Sequence, residues 1–161
     1  MDSSNEKEIG GVSVRLIERA FDLAKQDLKL NWKEIAGNKS NPLILECYKS
    51  VDDLDCPELE RNDDEIPWCS CYMNKKIQEA GGRGTRSAMA RSWLRWGRKS
   101  IGNPGDIAVF ERGNDGYSGH VTFVVKIEGN IVSCLGGNQA DSVCIREYDI
   151  SKLIAFRTSI D

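Results

Sequence analysis

Six cysteines and one histidine carry most of the chemistry this sequence could do. A thiol becomes a nucleophile when its pKa is lowered, a base stands beside it and the base is held in one orientation. Cys69 meets the first need best. It follows Pro67-Trp68 where a loop enters a helical pattern, so unpaired N–H groups and the positive end of the helix dipole favour a thiolate. Cys71 lies two residues on and points to another side of that helix. Cys47 falls inside a short helical run, and Cys56 lies among acids that raise a thiol pKa. Cys134 and Cys144 sit in strand patterns, as small apolar residues do, and could face each other across a hairpin. His120 follows Ser118-Gly119 and opens an apolar strand, which suits a base facing a cleft. The third member should be Asn, Asp, Glu or Gln. If strands 120–127 and 131–135 pair antiparallel, Asn138 returns beside His120. Each residue alone is more often structural: a helix-start cysteine, a strand-edge histidine, a turn.

These residues need elements to position them. Val14, Ile17, Ala20, Phe21, Ala24 and Leu28 recur at steps of three and four, the stripe of an amphipathic helix. Pro42 begins a second, short helix through Tyr48. Cys69 to Ala80 is helical until Gly81-Gly82 stops it, and Ser87 to Trp96 is a further candidate helix. Beyond Gly97 the period changes to two. Strands are expected at 106–110, 120–127, 131–135, 143–148 and 153–157, with a hairpin at Glu128-Gly129-Asn130. Helices followed by antiparallel strands give an α+β fold. The expected organisation is a flexible tail over 1–11 and one domain over 12–161.

Composition removes several function classes. The chain has 161 residues, 40% of them hydrophobic and 29% charged, enough for one real core. The net charge of -3 argues against a general nucleic-acid binder. No apolar run reaches the roughly 20 residues of a membrane span, so no stable membrane insertion is expected. Met1–Gly11 lacks a basic patch followed by an apolar stretch, so no Sec-type signal is expected, and the cysteines are expected to be free thiols. Residues 51–65 hold eight acids against one Arg and read as an acidic surface loop. Arg83, Arg86, Arg91, Arg95, Arg98 and Lys99 gather around Trp93 and Trp96. That cluster reads either as a solvated face or as a patch for anionic polymers.

Five blocks stand in order: Pro67-Trp68-Cys69-Ser70, Gly84 through Leu94, Pro104 through Phe110, Ser118-Gly119-His120-Val121 and Gly136-Gly137-Asn138-Gln139. Together they resemble the phage cell-wall hydrolases of the CHAP and NlpC type, a papain-like cysteine peptidase group. Lys33-Glu34-Ile35 and Asn41 through Glu46 resemble the lead-in of the phage branch, so the likeness spans roughly residues 14–157. The resemblance implies a papain-like α+β fold, with N-terminal helices on an antiparallel sheet of about five strands. It implies a Cys69 nucleophile, a His120 base and an Asn138 orienter acting on amide bonds of bacterial peptidoglycan. It also implies an endolysin, with no cofactor, working as a monomer. Such a protein is made in the host cytoplasm and reaches the periplasm and wall after holin-type release. A tail-borne or toxin-type wall hydrolase, or a non-catalytic envelope-binding module, would share the fold. Some relatives hold calcium at acidic loops, which draws attention to Asp53 and Asp55, although the regular spacing of an EF-hand is missing. The sequence departs at Cys71, where a small apolar residue is expected. At the third position Glu is a common alternative, and here Asn138 and Gln139 are the only polar candidates in the block.

Overall fold

A computed structural model describes residues 7–9, 12–30, 32–35, 41–52 and 68–161. Helix α1 (Leu16–Asp27) buries Ile17, Ala20 and Ala24 of the stripe read from its spacing, together with Leu16; of the other stripe residues, Val14 falls in the strand before the helix and Leu28, just past it, is exposed. Helix α2 (Pro42–Tyr48) carries Pro42 in its first turn, and the Asn41 side chain caps it by accepting from the Leu43 N–H at 3.0 Å. Helix α3 (Cys69–Glu79) is buried along nearly its whole length and stops at Ala80, before Gly81 at φ +94°.

The strands after β1 (Lys7–Ile9) and β2 (Val12–Val14), which pair with each other, form one antiparallel sheet. They are β3 (Arg98–Lys99), β4 (Ile107–Glu111), β5 (Gly119–Glu128), β6 (Ile131–Gln139), β7 (Ser142–Asp149) and β8 (Leu153–Thr158). Their order in space is β3-β8-β4-β5-β6-β7. This is the α+β architecture read from the sequence, with six strands where about five were expected. The extra member, β3, has two residues, too few for an alternating pattern to register. The hairpin turn falls between β5 and β6 as the spacing predicts, with Gly129 at φ +60°.

Two of the sequence readings need correction. Residues 87–96 do not form an α-helix. A 3-10 helix runs over Ala90–Arg95 only, entered from an extended Met89 and preceded by Arg86 at φ +56°. The segment is held by Trp93, which is fully buried, rather than by a continuous apolar stripe. Cys134 and Cys144 are free and do not face each other: in the β6–β7 register Cys134 lies opposite Arg146, and Cys144 opposite Gly136. Within the stretch read as a tail, Lys7–Ile9 form β1, while 1–6 and 10–11 lie outside the described residues. So do most of the acidic stretch, including Asp53, Asp55 and Cys56.

Period-two alternation gives the sheet two apolar faces. Ile107, Val109, Val121, Phe123 and Leu135 pack under the helices with Ile17, Trp68, Tyr72, Met73 and Ile77. Ala108, Phe110, Val124, Val132 and Cys134 form a smaller cluster with Tyr148, Leu153 and Phe156. Helix α3 is bolted to α1 by a buried ion pair, Lys76 Nζ to Asp27 Oδ2 at 2.7 Å. Tyr72 Oη donates to the same carboxylate at 2.8 Å. Burial and the Asp27 charge push the Tyr72 hydroxyl well above its ordinary pKa, so it stays a donor.

The N-terminal end of α3 reaches the sheet because β6 has no side chain in its way. A Cβ on Gly137 would stand 2.5 Å from the Trp68 ring and 2.8 Å from the Tyr72 Cβ. Both neighbours are fully buried and have nowhere to move. Gly137→Ala should therefore destabilise the protein by about 1–3 kcal/mol, the usual cost of overpacking. It should also displace Cys69 and lower activity more than that loss of stability accounts for. Chemical denaturation alongside a turnover assay checks both; wild-type stability would show that α3 does not rest on this contact.

Candidate active site

Cys69 is the first residue of α3, as its position after Pro67-Trp68 suggests, and is 5% exposed. Its flanks are pinned. Trp68 Nε1 donates to Glu34 Oε1 at 2.8 Å. Ser70 Oγ donates to the Ser87 carbonyl at 2.6 Å and accepts from Trp93 Nε1 at 2.9 Å. One turn on, Asn74 gathers the loop that follows the helix. Its Nδ2 donates to the carbonyls of Ser70 and Ser87, and its Oδ1 accepts from the Arg86 N–H at 2.7 Å. The thiol therefore sits at a helix start that cannot rotate away.

His120 comes from the start of β5 and is 2% exposed. Its Nε2 meets Gln139 Oε1 at 3.0 Å. Two more donors converge on that oxygen, Thr122 Oγ1 at 3.0 Å and Tyr148 Oη at 3.1 Å. Gln139 Nε2 in turn donates to the carbonyls of Cys134 at 3.1 Å and Cys144 at 2.7 Å. Carbonyl oxygens only accept, so the amide has a single satisfied orientation. Oε1 then faces the imidazole and cannot donate, which makes Nε2 the protonated ring nitrogen. The other nitrogen, Nδ1, is buried and makes no hydrogen bond among the described residues. It is the nitrogen left for Cys69.

The thiol feels the histidine. Burial alone would push its pKa up. The His120 side chain and its charge, the Val121 N–H and the Arg112 charge outweigh burial, and the Cys69 thiol lies below its ordinary value. Burial pushes Cys47 and Cys134 the other way, Cys134 to about 12.

The structure corrects the third residue. Gln139, not Asn138, holds His120. Asn138 has φ +55°, inside an irregularity where the β6–β7 register shifts between Gly136 and Gln139. Among the described residues its side chain forms no hydrogen bond. Thr122 and Tyr148 were missed altogether. Thr122 is two residues from His120 on the same face of β5, and that spacing is the signal that could have found it. Tyr148, whose ring lies 5.4 Å from the imidazole, comes from β7 and left no local sign. Among the described residues no group of three or more His, Cys, Asp or Glu is arranged to hold a metal ion. No helix among them is long and apolar enough to cross a membrane.

A buried helix-start thiol beside a strand-borne imidazole, held by an amide from the next strand, is an arrangement that can activate a thiol for acyl transfer. A sequence model of the CHAP domain matches residues 61–138, a stretch that includes Cys69 and His120. That domain is generally a cysteine- and histidine-dependent amidohydrolase or peptidase acting on peptidoglycan. No curated protein and no solved structure matches the chain significantly.

Two measurements test the site. Gln139→Ala should lower kcat by about tens to a thousandfold and leave measurable turnover, because the base remains but is misplaced. Asn138→Gly, which keeps the backbone free to hold φ +55°, should stay within about threefold of wild type. The reverse order of effects would return the third role to Asn138. The thiol's acid strength is the second measurement. A thiolate forms as pH rises through the pKa, so a lowered pKa moves Cys69 alkylation to lower pH than an ordinary cysteine. In His120→Ala burial is left largely unopposed, and the alkylation midpoint should move up. A midpoint unchanged by that substitution would dissociate the two residues.

Proposed function

We propose that this protein is a peptidoglycan hydrolase that cuts an amide bond of the peptide stem by acyl transfer through Cys69. The observation that carries the reading is the buried Cys69 thiol, lowered by a His120 whose far nitrogen is held by Gln139. A catalytic thiol needs that arrangement, whereas a structural one gains nothing from it.

The chemistry follows from the atoms present. Cys69 Sγ gives its proton to His120 Nδ1 and attacks the amide carbonyl carbon. The developing oxyanion is met by the N–H groups of the first turn of α3, with the Cys69 N–H foremost; they have no partner within the helix and lie at its positive end. The C–N bond breaks as Nδ1 returns the proton to the leaving amine, which leaves a thioester on Cys69. Water then attacks the thioester carbon, Nδ1 takes one of its protons, and the acid product departs as the thiol is restored. Through both steps Gln139 Oε1 accepts from Nε2–H. It steadies the imidazolium as a dipole rather than as an ion.

The biological setting we favour is a phage endolysin, made in the host cytoplasm and acting on the wall after release through a holin-type pore. The order of the motif blocks supports that setting.

Purified peptidoglycan tests the reaction. The wild-type protein should release fragments with new amine and carboxyl ends and no new reducing ends, read by mass spectrometry. Cys69→Ala should fall by at least about a thousandfold while Cys71→Ala stays active. New reducing ends would signify a glycosidase, and an active Cys69→Ala would remove the nucleophile.

A further inference from the structure

The basic segment after α3 is not absorbed by this mechanism. From Arg83 to Lys99 the sequence holds six cationic residues and no acid. The structure folds part of it into a groove of about 630 Å³ on the 3-10 helix, lined by Met89, Arg91, Leu94, Arg95 and Trp96 with Thr85, Ser92 and Gly116. Of the segment's cations, Arg86 is committed to Asp52, which binds it through two oxygens. Neither Arg91 nor Arg95 forms a salt bridge among the described residues. Asp115, next in sequence to the groove's Gly116, has a carboxyl held below its ordinary value by hydrogen bonds from Ser118 and Tyr117 and, more weakly, by the charge of Arg91. It accepts from the Ser118 hydroxyl and from the Ser118 and Tyr117 N–H groups, which satisfy it within its own turn.

The groove is fastened to both catalytic elements. Arg91 Nε donates to the Ser118 carbonyl at 3.0 Å, two residues before His120. A Cβ on Gly119 would stand 3.3 Å from the Arg91 side chain, so the absence of one lets this arginine lie against the strand. On the other side, Trp93 and Ser87 hold Ser70, the neighbour of Cys69. Two residues of extended chain span about 7 Å. A groove fastened within that span of His120, carrying Arg91 and Arg95 with Met89, Leu94 and Trp96, suits an aliphatic peptide that carries a carboxylate one or two residues from the bond being cut. Guanidinium groups match carboxylates in a planar, bidentate way that other cations do not.

We propose that this groove is the subsite for a free side-chain or terminal carboxylate of the stem peptide. The inference rests on the reading of the protein as a peptidoglycan amide hydrolase and names what that enzyme selects. Its occupant is an acidic peptide.

Matched peptidoglycan preparations with the stem carboxylates free or amidated provide the test, with the full-length protein and its Arg95→Gln and Arg91→Gln variants. Wild type should prefer the free carboxylates. Arg95→Gln should raise KM on that substrate by about threefold to tenfold, the scale of one partly exposed ion pair, with kcat unchanged. It should leave the amidated substrate as before. Arg91→Gln should likewise raise KM on the free-carboxylate substrate more than on the amidated one, and Arg95→Glu should reverse the preference. Arg95 is exposed, so its variants keep the test clear of folding defects, and thermal melting checks Arg91→Gln. Equal cleavage of both substrates by wild type, unchanged in the variants, would overturn the subsite and leave the hydrolase standing. So would variants that lose only the binding of an oligonucleotide probe. Cleavage of neither substrate by wild type would overturn the hydrolase reading, and the subsite with it.

Discussion

One carboxamide governs the geometry of this site. Gln139 spends both amide hydrogens on the carbonyls of Cys134 and Cys144, which bracket it on β6 and β7. Its oxygen is then compelled to face His120, Thr122 and Tyr148. Reversing the amide would set its N–H groups against the Nε2–H of His120 and leave the carbonyls of Cys134 and Cys144 facing an oxygen. Each buried polar group left unpaired costs about 1–3 kcal/mol. The imidazole inherits its tautomer from this constraint. A neutral amide thus does the orienting work that a carboxylate performs elsewhere, and it does so without burying another charge beside the thiol.

The remainder of the fold brings α3 to that fixed imidazole. Gly137 clears the sheet for Trp68 and Tyr72. Lys76 and Asp27 tie the far end of the helix to α1, where Nζ also lies 5.3 Å from the Trp32 and Tyr72 ring centres. A buried ion pair adds little net stability, yet loss of one partner strands a charge at a cost of about 3–5 kcal/mol. Such a contact fixes the position of the helix better than it stabilises the protein. Asn74 performs the same service for the loop over 84–87, which in turn holds Ser70. The thiol is thus located from three directions, and none of the contacts is made by the sulfur itself.

Much of this was legible in the sequence, and the gaps have identifiable causes. The α1 stripe, the α3 start at Cys69 and the β5–β6 hairpin follow from local spacing. His120 follows from counting, because one histidine leaves one possible imidazole base, and Cys69 follows from its place at a helix start. The orienting residue was misplaced by a single position. In a regular strand, successive side chains alternate between faces, and pairing geometry alone points to the end of β6 without saying which neighbour turns inward. The left-handed backbone at Asn138 shifts the register there and turns Gln139 toward the histidine. Asn is among the few non-glycine residues that visit such a conformation readily, so the residue read as functional supplies the bend instead. The 3-10 helix was misread for a different reason. Its apolar residues satisfy a helical period, but the segment is short and anchored by one buried tryptophan, and tertiary contact decides its winding.

The cysteines show most directly that environment, rather than residue type, sets the acidity of a thiol. Cys47, Cys69 and Cys134 are all buried, and burial by itself raises every one of them. Cys47 donates weakly to the Leu43 carbonyl at 3.6 Å, a contact that keeps the proton on sulfur. Cys134 leans toward the Val132 carbonyl at 3.7 Å in the same way. Cys69 alone of the three meets groups that favour the anion: an imidazole, the Val121 N–H and the charge of Arg112. Burial then works in the opposite sense for function. The low-dielectric surroundings that would suppress an unpartnered thiolate strengthen its attraction to the imidazolium once that partner is fixed. A loosely held histidine would lose this advantage by rotating out of line. The amide of Gln139 and the lowered pKa of Cys69 are therefore two ends of one arrangement, joined through a ring that has one place to point.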